Sequence, residues 1–282
     1  MVASQLQLMC LESLDISYCP SLVCFPKGEL PTTLKELYIE CCENLESLPE
    51  GMMHHSNCSS LKSFRTGELS STLKQLECLH SLTHLIIERC KNLKSLPHQM
   101  RNLKSLQVLA IRDCPGVECF PKGGLAPNLT SLYICDCKNM KTPISEWSLH
   151  TLTSLYQLTI KNMFPDMLSF SDEECPLPIS LTSLTINGME SLASLAFQNL
   201  ISLTSLTIHG MESLASLALQ NLISLQSLCI SNCPNLRSLG LMPATLGRLE
   251  IIDCPTIKER CLKDKGGPTL PTSPAFGYRD NT

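Results

Sequence analysis

The pattern Leu-x-x-Leu-x-Ile recurs through this chain, starting at Leu11, Leu34, Leu82, Leu106, Leu129, Leu155, Leu181, Leu203, Leu225 and Leu246. From Leu82 onward the starts are 24, 23, 26, 26, 22, 22 and 21 residues apart, a period that belongs to stacked repeats. Within each copy, alternation sends Leu14 and Ile16, or Leu184 and Ile186, to one side of a short strand and the residues between them to the other. A single coil of this kind leaves its apolar face uncovered. Stacking the coils buries those faces and pairs the strands in parallel, so one core runs along the chain.

The fold this predicts is α/β, a leucine-rich-repeat solenoid. It is a curved right-handed superhelix with a parallel strand ladder on the concave face and irregular, short 3-10 or helical return segments. A second leucine ladder, in "NLESLP" at 44–49, "NLKSLP" at 92–97 and "NLRSLG" at 235–240, lines the return path, with Pro49 and Pro97 stopping any strand or helix there. The repeat domain is expected over 1–262, with about 10–11 repeats, and a polar, disordered tail over 263–282. Residues 50–80 break the rhythm, because "CSSLKSFRTGELSSTLKQLECL" copies residues 19–40 at a displacement of 39, yet the next strand starts only nine residues after Leu73. Irregular geometry is expected there, with "MMHHSNC" as a bulging loop. The longer intervals after Leu129 and Leu155 predict insertions bulging out around 138–154 and 163–178.

The most regular stretch is a direct duplication. Residues 181–202 and 203–224 are identical except for Asn187 against His209 and Phe197 against Leu219. The first difference falls just past a strand, where a side chain faces outward; the second falls in the return segment, where volume must fit a neighbour.

Chemistry is poorly supported by the residues present. The chain has 17 cysteines, an odd number that cannot pair completely. Cysteine stands eight residues after the first strand leucine at Cys19, Cys42, Cys90, Cys114, Cys137, Cys233 and Cys254, and methionine takes the equivalent place at Met163, Met189 and Met211. A ligand position does not exchange thiolate for thioether this freely, whereas a buried packing position does. Cys135 and Cys229 are expected on the exposed side of their strands, as candidate surface thiols. His54 and His55 read as a loop pair, and Asp172, Glu173 and Glu174 as a solvated acidic turn. Trp147 either fills space between turns or marks a partner contact. Nucleotide-loop and zinc-protease motifs are absent from the sequence. No enzymatic activity, no metal and no cofactor are therefore expected.

The formal charge of −4 gives no general reason to bind nucleic acid, and no stretch is apolar for long enough to span a membrane. The opening "MVASQLQLMC" lacks a secretory pattern, so the expected compartment is the cytoplasm, with the plasma membrane or nucleus reached through partners. What remains is the surface. The outward strand positions form columns on the concave face: Glu36, Tyr38 and Glu40; His84 and Glu88; Arg112; Tyr133; Gln157 and Lys161; Asn187; His209. Their chemistry changes from coil to coil while the inward leucines stay regular, which suits a sizeable protein partner.

The segment "CPSLVCFPKGELPTTLKELYIECCENLESLPEGMMHH", the recurrent "ISYCPSL" and "ISNCPNL", and the closing "IIDCPTIKERCLKDKG" resemble a known family. It is the C-terminal leucine-rich-repeat region of plant intracellular nucleotide-binding disease-resistance proteins, coiled-coil subclass. The likeness covers residues 6 to 267. It implies recognition of a pathogen effector or a guarded host protein, and autoinhibitory contact with a nucleotide-binding domain in a full-length receptor. ATP or ADP would bind only in that upstream domain, whose phosphate-binding loop these residues lack, so the resemblance reads the chain as a receptor fragment or a degenerate homologue. The competing reading of the same repeats is an adaptor or substrate-recognition module such as occurs in a ubiquitin ligase, or a receptor fragment without function.

Overall fold

The structure, a computed structural model, describes residues 10–25, 30–31, 33–48, 81–97, 100–120, 124–171, 176–197, 199–257 and 277–279. It falls into two compact units, Met1–Leu129 and Thr130–Thr282. In the first, β1 (Ser13–Ser17), β2 (Glu36–Glu40), β3 (His84–Glu88) and β4 (Val108–Arg112) pair in parallel and in strict register, with Leu14 beside Leu37, Leu37 beside Leu85 and Leu85 beside Leu109. β2 and β3 are direct neighbours. Residues 51–80, where the irregular repeat, His54 and His55 are expected, lie outside the described residues.

The second unit repeats the arrangement. Its main ladder contains β5 (Ser131–Cys135), β6 (Gln157–Lys161), β8 (Ser183–Asn187), β10 (Ser205–His209), β12 (Ser227–Ser231) and β13 (Arg248–Ile252), all parallel. Three shorter strands, β7 (Ser169–Ser171), β9 (Ser194–Ala196) and β11 (Ser216–Ala218), form a second parallel sheet on the return side. Return segments are thus only partly 3-10, at Met100–Asn102, Ile144–Trp147 and Leu149–Thr151. Elsewhere the second leucine ladder pairs its own backbone, as the single bridges Cys24–Ser47, Ser95–Cys119 and Ser216–Ser238 also show. The reason is geometric: once the main strands lie one ladder spacing apart, in-phase return segments are held at the same spacing and their amides find partners. A last strand, β14 (Gly277–Arg279), runs parallel to β13; the rest of the expected tail lies outside the described residues.

The core follows the repeat. Leu37, Leu85, Leu109, Leu132, Leu158, Leu184, Leu206 and Leu228 are all fully buried, as are the return-side Leu45, Leu93 and Leu236. Each such leucine contributes about 1.5–3 kcal/mol through the apolar surface it removes from water. Both duplicated return residues are buried, Phe197 at 2% exposure and Leu219 at 0%, and Phe197 meets Phe170 edge-on, ring centroids 6.1 Å apart. The insertion expected over 138–154 does not bulge. Ile144, Trp147 and Leu149 turn inward and are buried, Trp147 packing on Phe164 with its indole N–H donating to the Thr142 carbonyl, so this tryptophan fills space. Within 163–178, Phe170 is buried in the second sheet; residues 172–175, with the acidic turn, lie outside the described residues.

Two residues close each coil. The residue after every main strand from β1 to β13 is left-handed: Tyr18, Cys41, Arg89 and Asp113 in the first unit, and Asp136, Asn162, Gly188, Gly210, Asn232 and Asp253 in the second. This turn aims its N–H at the last carbonyl of the next strand, as in Cys41 to Glu88 and Gly188 to His209. The cysteine or methionine of the packing ladder follows. Cys42, Cys90, Cys114, Cys137, Cys233, Cys254, Met163, Met189 and Met211 are fully buried. The thiols donate to the carbonyl two residues back, at 3.4 Å from Cys90 to Glu88 and 3.3 Å from Cys254 to Ile252. Burial pushes the Cys42 thiol up from its ordinary value; the neighbouring Cys254 thiol, and then burial, push Cys233 up. Cys42 and Cys233 are thus inert packing groups. Cys19, in the first described coil, is exposed.

Candidate protein-recognition face

The strands that bury leucine and isoleucine on one side present their alternate residues on the other, in straight columns fixed by the register. In the first unit the first outward column reads Ser13, Glu36, His84, Val108; the second reads Asp15, Tyr38, Ile86, Ala110; the third reads Ser17, Glu40, Glu88, Arg112. All six candidates from this unit (Glu36, Tyr38, Glu40, His84, Glu88 and Arg112) stand in these columns, Tyr38 exposed and the other five half-buried. In the second unit Tyr133, Gln157, Lys161, Asn187 and His209 occupy the equivalent places and are likewise half-buried.

The charges of these columns mostly answer one another. Glu40 takes Arg89 of the next coil at 2.6 Å, and Glu88 pairs with Arg112. Lys161 lies 3.7 Å from Asp136, and Arg248 lies 2.7 Å from Glu250. Neutral groups also join laterally. The Asn232 amide donates to His209 Nε2, which leaves the proton on Nδ1 to donate to Ser231 Oγ at 2.7 Å. Glu40, Glu88 and Arg112 are therefore ordered by neighbours, and a partner meets them as pairs. A parallel seam ties the coil of β2 to that of β3 through Lys91 and Glu43 at 2.6 Å and Lys94 and Glu46 at 4.0 Å.

Two expectations on this face change. Cys135 is buried, in register with Lys161 on the next strand. Cys229 is half-buried, and burial, with Glu250 beside it, pushes its thiol up, so it is not an activated nucleophile. Sequence reasoning also passed over the left-handed column. Its signal was present, since Asp, Asn or Gly precedes the packing position in most coils, the residue types that adopt this conformation at least cost. Among the described residues no group of three or more His, Cys, Asp or Glu side chains is arranged to hold a metal, and no helix is long and apolar enough to cross a membrane.

The repeat and its two parallel ladders define the chain as a leucine-rich-repeat-type solenoid. No protein-family model matches it, and no curated protein matches it. Among solved structures, the plant peptide hormone receptor RGFR1 in complex with RGF2 is similar at 16% identity over 86% of this chain and 43% of that one, with a TM-score of 0.37. The chain thus spans less than half of that receptor's length. A leucine-rich-repeat protein of Leptospira interrogans is similar at 19% identity over 82% of this chain and 70% of that one, with a TM-score of 0.25. One from Bacteroides ovatus is similar at 13% identity over 96% and 88%, with a TM-score of 0.22.

Proposed function

We propose that the chain is a protein-recognition module that binds through the outward columns of its strand ladders. One observation carries this reading: the inward strand positions hold leucine and isoleucine in coil after coil, while the outward positions of the same strands vary from Glu36 and Tyr38 to Gln157, Lys161 and His209. A scaffold kept only for its core has no use for that asymmetry, and open strand faces of varied chemistry suit a protein better than a small enclosed ligand. The cysteine-proline punctuation and the closing "IIDCPTIKERCLKDKG" support the narrower assignment. On that assignment the module belongs to a plant immune receptor of the nucleotide-binding class. It recognises a pathogen effector or a guarded host protein, and it restrains an upstream nucleotide-binding domain.

The test uses the Glu88–Arg112 pair. The exchange E88R/R112E keeps the ion pair and inverts its pattern. Binding of the purified chain to candidate effectors and host proteins is measured before and after the exchange, with folding checked by circular dichroism. Loss of a specific partner on exchange supports the recognition face. A partner that binds equally well to the exchanged protein, and to one with Gln157 and Lys161 replaced by alanine, removes these columns from recognition. Co-expression with a nucleotide-binding domain in leaf tissue tests restraint separately, the expected result being suppression of cell death.

A further inference from the structure

Among the described residues, the charges on the outward strand positions are compensated with two exceptions. Glu40, Glu88, Arg112, Lys161, Arg248 and Glu250 all sit in ion pairs. Among the described residues Asp15 accepts a hydrogen bond only from the neutral Ser17 hydroxyl, and Glu36 has no cationic partner; its register neighbours are Ser13 and His84, and the His84 ring is engaged with Thr83 Oγ1 at 2.9 Å. Both carboxylates lie on β1 and β2, and both lie beside the partly exposed ring of Tyr38. Asp15 is the register partner of Tyr38; Glu36 stands two residues before Tyr38 on the same strand. Tyr38 is 36% exposed and Tyr18, at the end of β1, is 69% exposed.

The spacing is set by the sheet. Register partners on neighbouring strands are about 4.8 Å apart and same-face residues on one strand about 6.6 Å apart, so the two carboxylates flank the Tyr38 ring within reach of one long cationic side chain. A lysine or arginine stem lies well on a tyrosine face, with its charge attracted by the ring within about 6 Å and by the carboxylates beside it.

Resting on the recognition reading above and narrowing it, we propose that the outward face of β1 and β2 binds a cationic segment of the partner protein. Tyr18 and Tyr38 take the stems of its basic side chains, and Asp15 and Glu36 take their charges. The long-range part of the attraction is screened by salt, and the aromatic contacts persist.

The probe is an octalysine peptide, with octaglutamate as control, titrated against the full chain by calorimetry at low and at physiological salt. Octalysine is expected to bind and octaglutamate not to. D15N/E36Q is expected to weaken octalysine at least tenfold and Y18A/Y38A at least fivefold, while E190Q/E212Q, which removes two exposed acids of the second unit, changes it less than twofold. Equal weakening by E190Q/E212Q, binding unmoved by D15N/E36Q, or equal binding of octaglutamate overturns the proposal. D15N and E36Q are isosteric surface changes, and an unchanged circular dichroism spectrum confirms the fold. The two readings fail separately: a protein partner lost on E88R/R112E while octalysine ignores D15N/E36Q sinks only the cationic partner, leaving recognition through the strand face in place.

Discussion

Gly188 and Gly210 occupy the same place in the two halves of the duplicated sequence, and alanine at each separates two costs that ordinarily come together. Both glycines are left-handed, with φ of 65° and 64°, so alanine at either meets the left-handed penalty of about 1–2 kcal/mol. Their surroundings differ. A Cβ on Gly210 lies 3.6 Å from the backbone of Gly188, an ordinary contact, whereas a Cβ on Gly188 lies 1.8 Å from Asn162 Oδ1. That amide must leave, and it takes with it the hydrogen bond from Asn162 Nδ2 to Asp136 Oδ1 at 2.6 Å, worth about 1 kcal/mol net.

Gly210→Ala should therefore cost about 1–2 kcal/mol and Gly188→Ala about 1 kcal/mol more, a further loss of about 2–4 °C in melting temperature for a chain of this size. The excess should vanish when Asn162 is already alanine, since the obstruction and the hydrogen bond are gone before the glycine changes. Calorimetric melts of the wild type, both single alanine variants, Asn162→Ala and Asn162→Ala/Gly188→Ala supply every leg of the cycle. Equal costs for the two glycines with Asn162 present would refute the steric argument. A Gly210→Ala protein as stable as wild type would refute the left-handed one.

Three further outcomes follow from packing and exposure. Phe197→Leu, which copies the residue at 219, should lower stability by about 1–2 kcal/mol, and the cycle with Phe170→Leu should show coupling of about 0.5–1.5 kcal/mol in urea melts; additive effects would mean that the two rings do not support each other. Gly116→Ala places a Cβ 2.5 Å from the Lys91 carbonyl oxygen and 2.7 Å from that of Leu93, so adjacent coils must part, at about 1–3 kcal/mol, and hydrogen exchange at the Ser95–Cys119 bridge should quicken. Brief iodoacetamide treatment at pH 8, read by mass spectrometry, should label the exposed Cys19, Cys24 and Cys119 quickly, Cys229 slowly, and Cys42, Cys90, Cys114, Cys233 and Cys254 only after denaturation; fast labelling at Cys229 would show that its thiol is not held protonated by burial and Glu250.

Much of the main ladder is legible in the sequence because its signal is periodic and redundant. Leu37, Ile39 and their equivalents repeat at an interval only a stacked coil explains, so the inward and outward assignment of Glu36, Tyr38 and Arg112 follows without coordinates. The return side is less legible. "SLA" at 194–196 and at 216–218 is too short to announce a strand, and becomes one only because Leu195 and Leu217 are brought into register by the main ladder. The segment 138–154 misleads for a related reason. Extra length reads as a bulge, whereas Ile144 and Trp147 are large apolar residues that gain more by turning inward than by exposure. Lateral pairing is also hidden, because Arg89 stands 49 residues from Glu40. Only the register brings them together.

The duplicated pair shows how far frame and face can change independently. At the outward position, asparagine at 187 has become histidine at 209, and the ring finds Ser231 and Asn232 on the next coil without disturbing Leu206 or Ile208, which remain fully buried. At the inward return position the exchange is conditional: Phe197 stands where Phe170 meets it edge-on, and the coil beyond it carries the smaller Leu219. An outward substitution needs only a neighbour able to accept or donate a hydrogen bond, or water in its place. An inward one needs a matching volume in the adjacent coil. Coils built this way can therefore vary their outward columns one residue at a time while the ladder stays in register. That freedom is what a recognition surface requires, and it also lets Asp15 and Glu36, which have no cationic partner among the described residues, stand beside Tyr38 on β1 and β2 at little expense to the core beneath them.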